Sequence, residues 1–166
     1  MGSHLTDIGA FIGADCAVVP EEITAGAGND GVEVDGPDIN RAQWSDRGMS
    51  GSFVIPFYAD MAATETLIVA TQIQDSADGI TFADFDGPVA GSGTKATTFG
   101  GVNAAQDIYA AHKHDIDIRM ARQYLRVQTL LTLSAGAVDT VAYGGAFLVG
   151  GQQELPGTGR EADTGA

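Results

Sequence analysis

The pair His112 and His114, followed by Asp115, is the cluster whose residue types most resemble metal ligands. Residues two apart share one face of a β-strand, so the two imidazoles would point the same way. A catalytic zinc ion takes three protein ligands and keeps one position open. No third ligand stands at a suitable spacing in the sequence. We therefore interpret the pair as the polar end of a strand and predict no metal and no other cofactor.

The remaining reactive residue types do not predict catalysis either. The single cysteine, Cys16, lies between Asp15 and Ala17, which supply neither a base nor positive charge, so we expect a buried and unreactive thiol. The Gly-x-Ser-x-Gly elbow of serine hydrolases does not occur. Residues 75–79 have the composition of a tight turn, and they lack the closing glutamate of a calcium loop. We predict that the chain is not an enzyme.

Arginine and tyrosine side chains are better candidates for function, as parts of a protein interface. Arg119, Arg122 and Arg126 are three of only eight basic residues in the chain, and Tyr124 lies among them. Both residue types are enriched at interfaces, since arginine pairs with carboxylates through two parallel hydrogen bonds. The alternative is that these arginines balance nearby aspartates of the same chain.

Trp44, with Arg41 and Arg47, forms a second candidate contact patch. The segment around it is polar, and a core tryptophan is less expected there. Tryptophan and arginine also dominate the binding energy of many interfaces.

Short strands must position these residues. Apolar and polar residues alternate in the runs that we predict as strands, which are 17–19, 31–35, 52–59, 66–74, 80–85, 115–120, 124–133 and 138–149. The glycines, 23 in number, fall between these runs and predict turns. Pro20 ends the first strand or lies at a sheet edge, and Pro56 predicts an edge or a bulge. Residues 103–111 are the best helix candidate, and residues 87–103 predict a long loop.

This pattern predicts an all-β fold, an antiparallel β-sandwich or jelly roll with short turns, a long loop and extended termini. We expect residues 1–36 to form an N-terminal arm and the first strands, and residues 37–155 to form the sandwich core. Residues 156–166 are rich in glycine and polar residues and predict a flexible C-terminal tail.

The charge balance excludes two classes of partner. Acidic residues number 22 against 8 basic ones, a net charge of −14. Such a surface repels nucleic acid and anionic membranes, which bind proteins through lysine and arginine. No apolar run reaches the roughly 20 residues of a membrane helix. The acidity serves either solubility alone or a partner selected by charge.

Two segments resemble virion proteins of tailed bacteriophages. Residues 72–82 read Gln-Ile-Gln-Asp-Ser-Ala-Asp-Gly-Ile-Thr-Phe, and they resemble a hairpin of those proteins. Residues 124–128, Tyr-Leu-Arg-Val-Gln, precede a Ser-Ala-Gly turn and are similar to a later strand. Within that group the chain is most similar to small capsid decoration (cement) proteins. The resemblance carries no catalytic residue over.

The resemblance implies a structural protein made in the host cytoplasm and located on the capsid exterior of the virion. It further implies a homotrimer that binds the major capsid protein and clamps neighbouring subunits. The first 30 residues and the loop 87–103 are the arms we expect to bind the shell. Two alternatives stay open: a phage tail structural or receptor-contacting subunit, and a carbohydrate-binding jelly-roll module or small hydrolase. A sugar-binding module would need exposed aromatic side chains on one face.

Overall fold

The computed structural model describes residues 13–43, 50–134 and 139–150. One turn of 3-10 helix, Arg41–Gln43, interrupts a chain that is otherwise strand and turn over these ranges. No helix of these residues has the length and apolar character needed to cross a membrane. The strands are β1 (Gly13–Thr24), β2 (Glu33–Asp35), β3 (Ile39–Asn40), β4 (Ser50–Met61), β5 (Thr66–Ser76), β6 (Ala83–Asp84), β7 (Thr94–Gly100), β8 (Gln106–Asp117), β9 (Tyr124–Leu133) and β10 (Thr140–Gly150).

The strands form two antiparallel sheets. Sheet I has the order β1-β10-β4-β8. Sheet II has the order β2-β9-β5-β6, with β3 also paired to β9 and β7 also paired to β5. Apart from the hairpin of β5 with β6 and the pairing of β5 with β7, neighbouring strands are distant in sequence because the chain crosses repeatedly between the sheets, as in the two Greek keys of a jelly roll. The predicted antiparallel all-β sandwich is therefore confirmed.

The core lies between the sheets and follows the alternation of each strand. In β5 and β9 every second residue is buried, as the sequence pattern predicted. Sheet I supplies the opposing layer from β4, which buries Phe53, Ile55 and Phe57. The core therefore fills with large side chains that each strand presents at a period of two.

A proline is accommodated in an interior strand, which corrects the prediction of an edge or a bulge at Pro56. Strand β4 lies between β10 and β8, and its register with β8 continues through Pro56, opposite Ala111. On the other side, no ladder pair with β10 forms at Gly144 or Gly145. A Cβ atom on Gly144 would lie 3.3 Å from Cγ of Pro20 in β1. The two glycines therefore give β10 the room to pass between two prolines, neither of which offers a backbone donor.

Three other local predictions were wrong. Residues 103–111, the helix candidate, contain the start of β8, because alternate residues from Ile108 onward turn towards the core. The expected loop 87–103 contains β7, which pairs along the edge of β5. Cys16 is exposed, because a bulge after it makes Ala17 and Val18 both buried and leaves the thiol on the other side of β1. Of the two alternatives predicted for Pro20, the sheet edge is confirmed, since β1 continues past Pro20 as an edge strand.

The predicted hairpin after β5 is present, with a return strand β6 of two residues. Its turn is built from side chains. The hydroxyl of Ser76 accepts the backbone N–H of Gly79 at 3.0 Å, and Asp78 Oδ1 accepts those of Ile80 and Thr81 at 2.9 and 3.0 Å. The hydrogen bonds from Thr81 and Ile80 lower the pKa of Asp78 to about 2. Asp78 therefore orders the turn.

Candidate docking surface

The predicted arginine cluster is divided among three carboxylates of the same chain. Arg119 Nε donates to Asp117 at 3.0 Å. Arg122 Nε lies 3.7 Å from an oxygen of Asp75. The third member, Arg126, forms an ion pair with Asp35. The three arginines thus occupy separate local networks and share no common acceptor.

Arg126 lies on the outer face of sheet II. Its Nη1 is 3.0 Å from Asp35, its Nε donates to Gln74 at 2.8 Å, and its guanidinium carbon lies 4.2 Å from the centroid of the Phe82 ring. Tyr124, two residues earlier in β9, is half-buried. Both side chains are held by contacts within the chain, and their role in an interface remains a prediction.

Arg41 is a buried structural residue in this chain, only 2 % exposed. Its Nη1 donates to the carbonyl oxygens of Ala121 and Arg122, the latter at 2.9 Å. The side chain therefore ties the short helix after β3 to the loop that precedes β9. Trp44 and Arg47, the other members of the second predicted patch, lie outside the described residues.

Replacing Arg41 with methionine should lower the free energy of unfolding by about 2–3 kcal/mol. The substitution retains much of the side-chain volume but leaves buried carbonyl groups without their charged donor. Urea denaturation measures the change. Arg119→Met is the matched control, because that side chain is exposed and its ion pair with Asp117 should contribute under about 1 kcal/mol. Equal losses for the two variants would contradict the structural role of Arg41.

The histidine pair belongs to a buried hydrogen-bond chain between the sheets. His114 Nε2 lies 2.6 Å from the carbonyl oxygen of Ser92, which only accepts, so this nitrogen carries the proton. His114 Nδ1 then accepts from the hydroxyl of Thr71 at 2.8 Å, which is closer than the other acceptor in reach of that hydroxyl, the carbonyl oxygen of Lys95 at 3.3 Å. That hydroxyl oxygen accepts from His112 Nε2 at 3.1 Å, and His112 Nδ1 accepts from Thr97 at 3.1 Å. Every ring nitrogen is used, and both imidazoles are neutral.

Through these hydrogen bonds the two histidines of β8 link sheet I to strands β5 and β7 of sheet II. Burial, followed by repulsion from Lys95 and from the protonated form of His114, lowers the pKa of His112 to about 4. Burial also lowers the pKa of His114, against the opposing effect of its bond to Ser92. Within residues 13–43, 50–134 and 139–150, no group of three or more His, Cys, Asp or Glu side chains is placed to hold a metal ion. The pair is best explained by packing between the sheets.

The outer face of sheet I carries little charge at its centre. Every second residue of β4 from Ser52 to Tyr58, and of β10 from Ala142 to Leu148, points outwards. None of these outward residues is charged. We call the central part the apolar face, and its members are Pro20, Val54, Pro56, Ala111, Ala142, Gly144, Ala146 and Leu148.

The corresponding face of sheet II is mixed. Its outward positions on β5 and β9 include the polar residues Gln72, Gln74, Arg126, Gln128 and Thr132 beside the apolar residues Ile68, Ala70 and Leu130. The centre of sheet I differs from sheet II in having no charged and no amide side chain, and we take the apolar face as the candidate docking surface because extended apolar patches mark interaction sites.

Solved structures to which this chain is similar include two of one virus. They are a structure of the infectious bursal disease virus Gx strain, at 15% identity and a TM-score of 0.46, and the VP2 subviral particle of the same virus, at 13% identity and a TM-score of 0.39. Each match covers 87% of this chain, which spans 33% of the chain it matches. No protein-family model and no curated protein matches the sequence. No residue role is transferred from either structure.

Sequence reasoning missed the apolar face because it examined what each strand buries. The missing signal was present in residues 141–149, where both alternating sets of residues are uncharged. A strand with two uncharged sides is expected when both are covered. In this chain one side packs in the core, and the other side is the apolar face.

Proposed function

We propose that this chain is a structural virion protein that binds the outer surface of a bacteriophage capsid and stabilises it by clamping neighbouring capsid subunits. The observation that carries the proposal is the apolar face, which persists on a chain with a net charge of −14. Solubility alone favours charged side chains on such a face. The resemblance of residues 72–82 and 124–128 to phage virion proteins supports the same function.

The jelly-roll architecture is compatible with this role but also serves lectins and cupins. Cupin-like chemistry would need histidines that are free to hold a metal ion. His112 and His114 instead use their ring nitrogens in hydrogen bonds to Thr71, Thr97 and Ser92. We therefore propose a binding role without catalysis.

The proposed partners are the major capsid protein and further copies of this chain, as a homotrimer on the capsid exterior. Several weak contacts made at once would give a high avidity. Within the expected N-terminal arm, residues 1–12 lie outside the described residues and remain a candidate arm, whereas Gly13–Thr24 form β1 of sheet I and are not free to act as one. The C-terminal segment 151–166 also lies outside the described residues. The loop 87–103 is a less suitable arm than expected, since β7 fixes residues 94–100 against β5.

Glutamate on the apolar face should weaken capsid binding at least about 100-fold, because an unpaired charge would be desolvated at the interface. The test uses the double variant Ala142→Glu and Ala146→Glu with empty shells, assembled from the major capsid protein of the virus whose genome encodes this chain. The matched control is Gln128→Glu with Thr132→Glu on sheet II, which adds the same charge to the opposite face. Co-sedimentation with the shells measures binding.

Cys16 provides a second readout of the same experiment. It is the only cysteine of the chain, it is exposed, and it lies opposite Ala146 in the register of β1 with β10. Shell binding should slow its modification by a maleimide. The proposal would be contradicted if the wild-type protein did not bind the shells, or if the variant Ala142→Glu with Ala146→Glu bound them as tightly as the wild type.

A further inference from the structure

One corner of the sheet I outer face combines two tyrosines with two aspartates. Tyr58 and Tyr109 are register partners on β4 and β8, and so are Asp60 and Asp107 in the adjacent row. The tyrosine rings lie 4.9 Å apart at 38°, and Tyr109 is 78% exposed. The Tyr58 hydroxyl donates to Asp107 at 3.0 Å. We call these four residues the acidic tyrosine corner.

The corner is electronegative and lacks a cation of its own. Two aspartates directly opposite each other on a sheet repel, which is unfavourable in the free protein. Among the described residues, no lysine or arginine forms an ion pair with Asp60 or Asp107. The hydrogen bond to Asp107, together with the charges of both aspartates, raises the pKa of Tyr58. All these features favour a positively charged ligand.

A second copy of this chain is a poor source of that charge. The lysine and arginine side chains of the described residues already bind carboxylate or carbonyl oxygens of their own chain, and they are Arg41, Lys95, Lys113, Arg119, Arg122 and Arg126. With a net charge of −14, a second copy is also a weaker electrostatic match than a basic surface. A different, basic protein is therefore the better source of the positive charge.

We propose that the acidic tyrosine corner binds an arginine side chain of a partner protein, a conclusion that rests on the proposed function and specifies its partner. The planar guanidinium would stack on the exposed ring of Tyr109 and donate to Asp60 and Asp107. Arginine suits this site better than lysine, because it stacks on aromatic rings while its fixed donors engage carboxylates. Contact with the apolar face would place that arginine at the rim of the interface.

The test is an NMR titration of the full chain with acetyl-Gly-Gly-Arg-Gly-Gly-amide and with its neutral citrulline counterpart. The arginine peptide should shift the ring signals of Tyr58 and Tyr109 and bind at least about fivefold more tightly than the citrulline peptide. The variant Asp60→Asn with Asp107→Asn should lose about that factor. The control Glu33→Gln with Asp84→Asn removes two exposed charges from sheet II and should retain the affinity.

Four outcomes would overturn the proposal: equal binding of the citrulline peptide, equal loss in the control variant, larger ring shifts with maltotriose or calcium chloride, or self-association through the corner. The peptide titration needs no shells. A failed titration beside intact shell binding therefore rejects the arginine site alone. Arginine binding without shell binding rejects the capsid role alone.

Discussion

Replacing Phe147 with alanine is expected to lower the free energy of unfolding by about 3–5 kcal/mol. Phe147 is fully buried in β10, and its ring stacks on that of Phe53 with centroids 4.3 Å apart. Truncation removes both apolar burial and this contact, and it leaves a cavity between the sheets. Urea or thermal denaturation followed by circular dichroism measures the loss.

A double-mutant cycle with Gly51 makes this prediction specific. A Cβ atom on Gly51 would lie 2.1 Å from Cζ of Phe147, so Gly51→Ala alone should destabilise the protein by about 1–3 kcal/mol. In the background of Phe147→Leu the added methyl group has more room. The double variant should therefore lose less free energy of unfolding than the sum of the losses of the two single variants. Strict additivity would show that the ring and Gly51 do not share this space.

Acidification should destabilise the protein through His112, the second large effect. The unfolded chain takes up a proton near pH 6.5, whereas the folded chain does so only near pH 4. Between these values the unfolded state binds more protons, so the free energy of unfolding falls as the pH is lowered from 6.5 to 4. The full loss for this shift is about 3 kcal/mol. The lowered pKa of His114 acts in the same direction.

The carboxylates of this acidic chain also titrate, so the measurement compares wild type with His112→Gln. Denaturation by urea at pH 7, 5.5 and 4.5 should show a smaller acid-induced loss in the variant. NMR of the wild-type imidazole gives an independent readout, since the His112 ring should stay neutral at pH 5. An identical pH dependence in both proteins, or protonation of the ring near pH 6.5, would contradict the prediction.

The strands with the strongest alternation were predicted nearly to the residue. The predicted strand 124–133 coincides with β9, because its apolar side chains repeat at a period of two over ten residues. Strand β7 was missed, since its exposed sequence Thr-Lys-Ala-Thr-Thr-Phe-Gly buries little and pairs only along one edge. Local pattern is informative where a strand has one buried face and weak where it does not.

Features that depend on contacts between distant segments of the chain could not be predicted from local sequence patterns. Pro56 is tolerated in the interior of sheet I because of Gly144 and Gly145, which come from another strand. The buried position of Arg41 depends on carbonyl groups from the loop before β9. The docking surface has the same origin, since it exists only when four strands from across the sequence lie side by side.

The position of β10 between β1 and β4 also has a consequence for biosynthesis. While the chain is still emerging from the ribosome, the first and fourth strands lack the partner that will join them, and their backbone donors and acceptors stay open to other chains. Closure of this sheet has to await translation of residues 140–150. Because the pairing of β1 with β10 joins residues more than 100 positions apart, we expect the sheet to fold slowly, with the nascent chain most prone to aggregation before residues 140–150 have emerged.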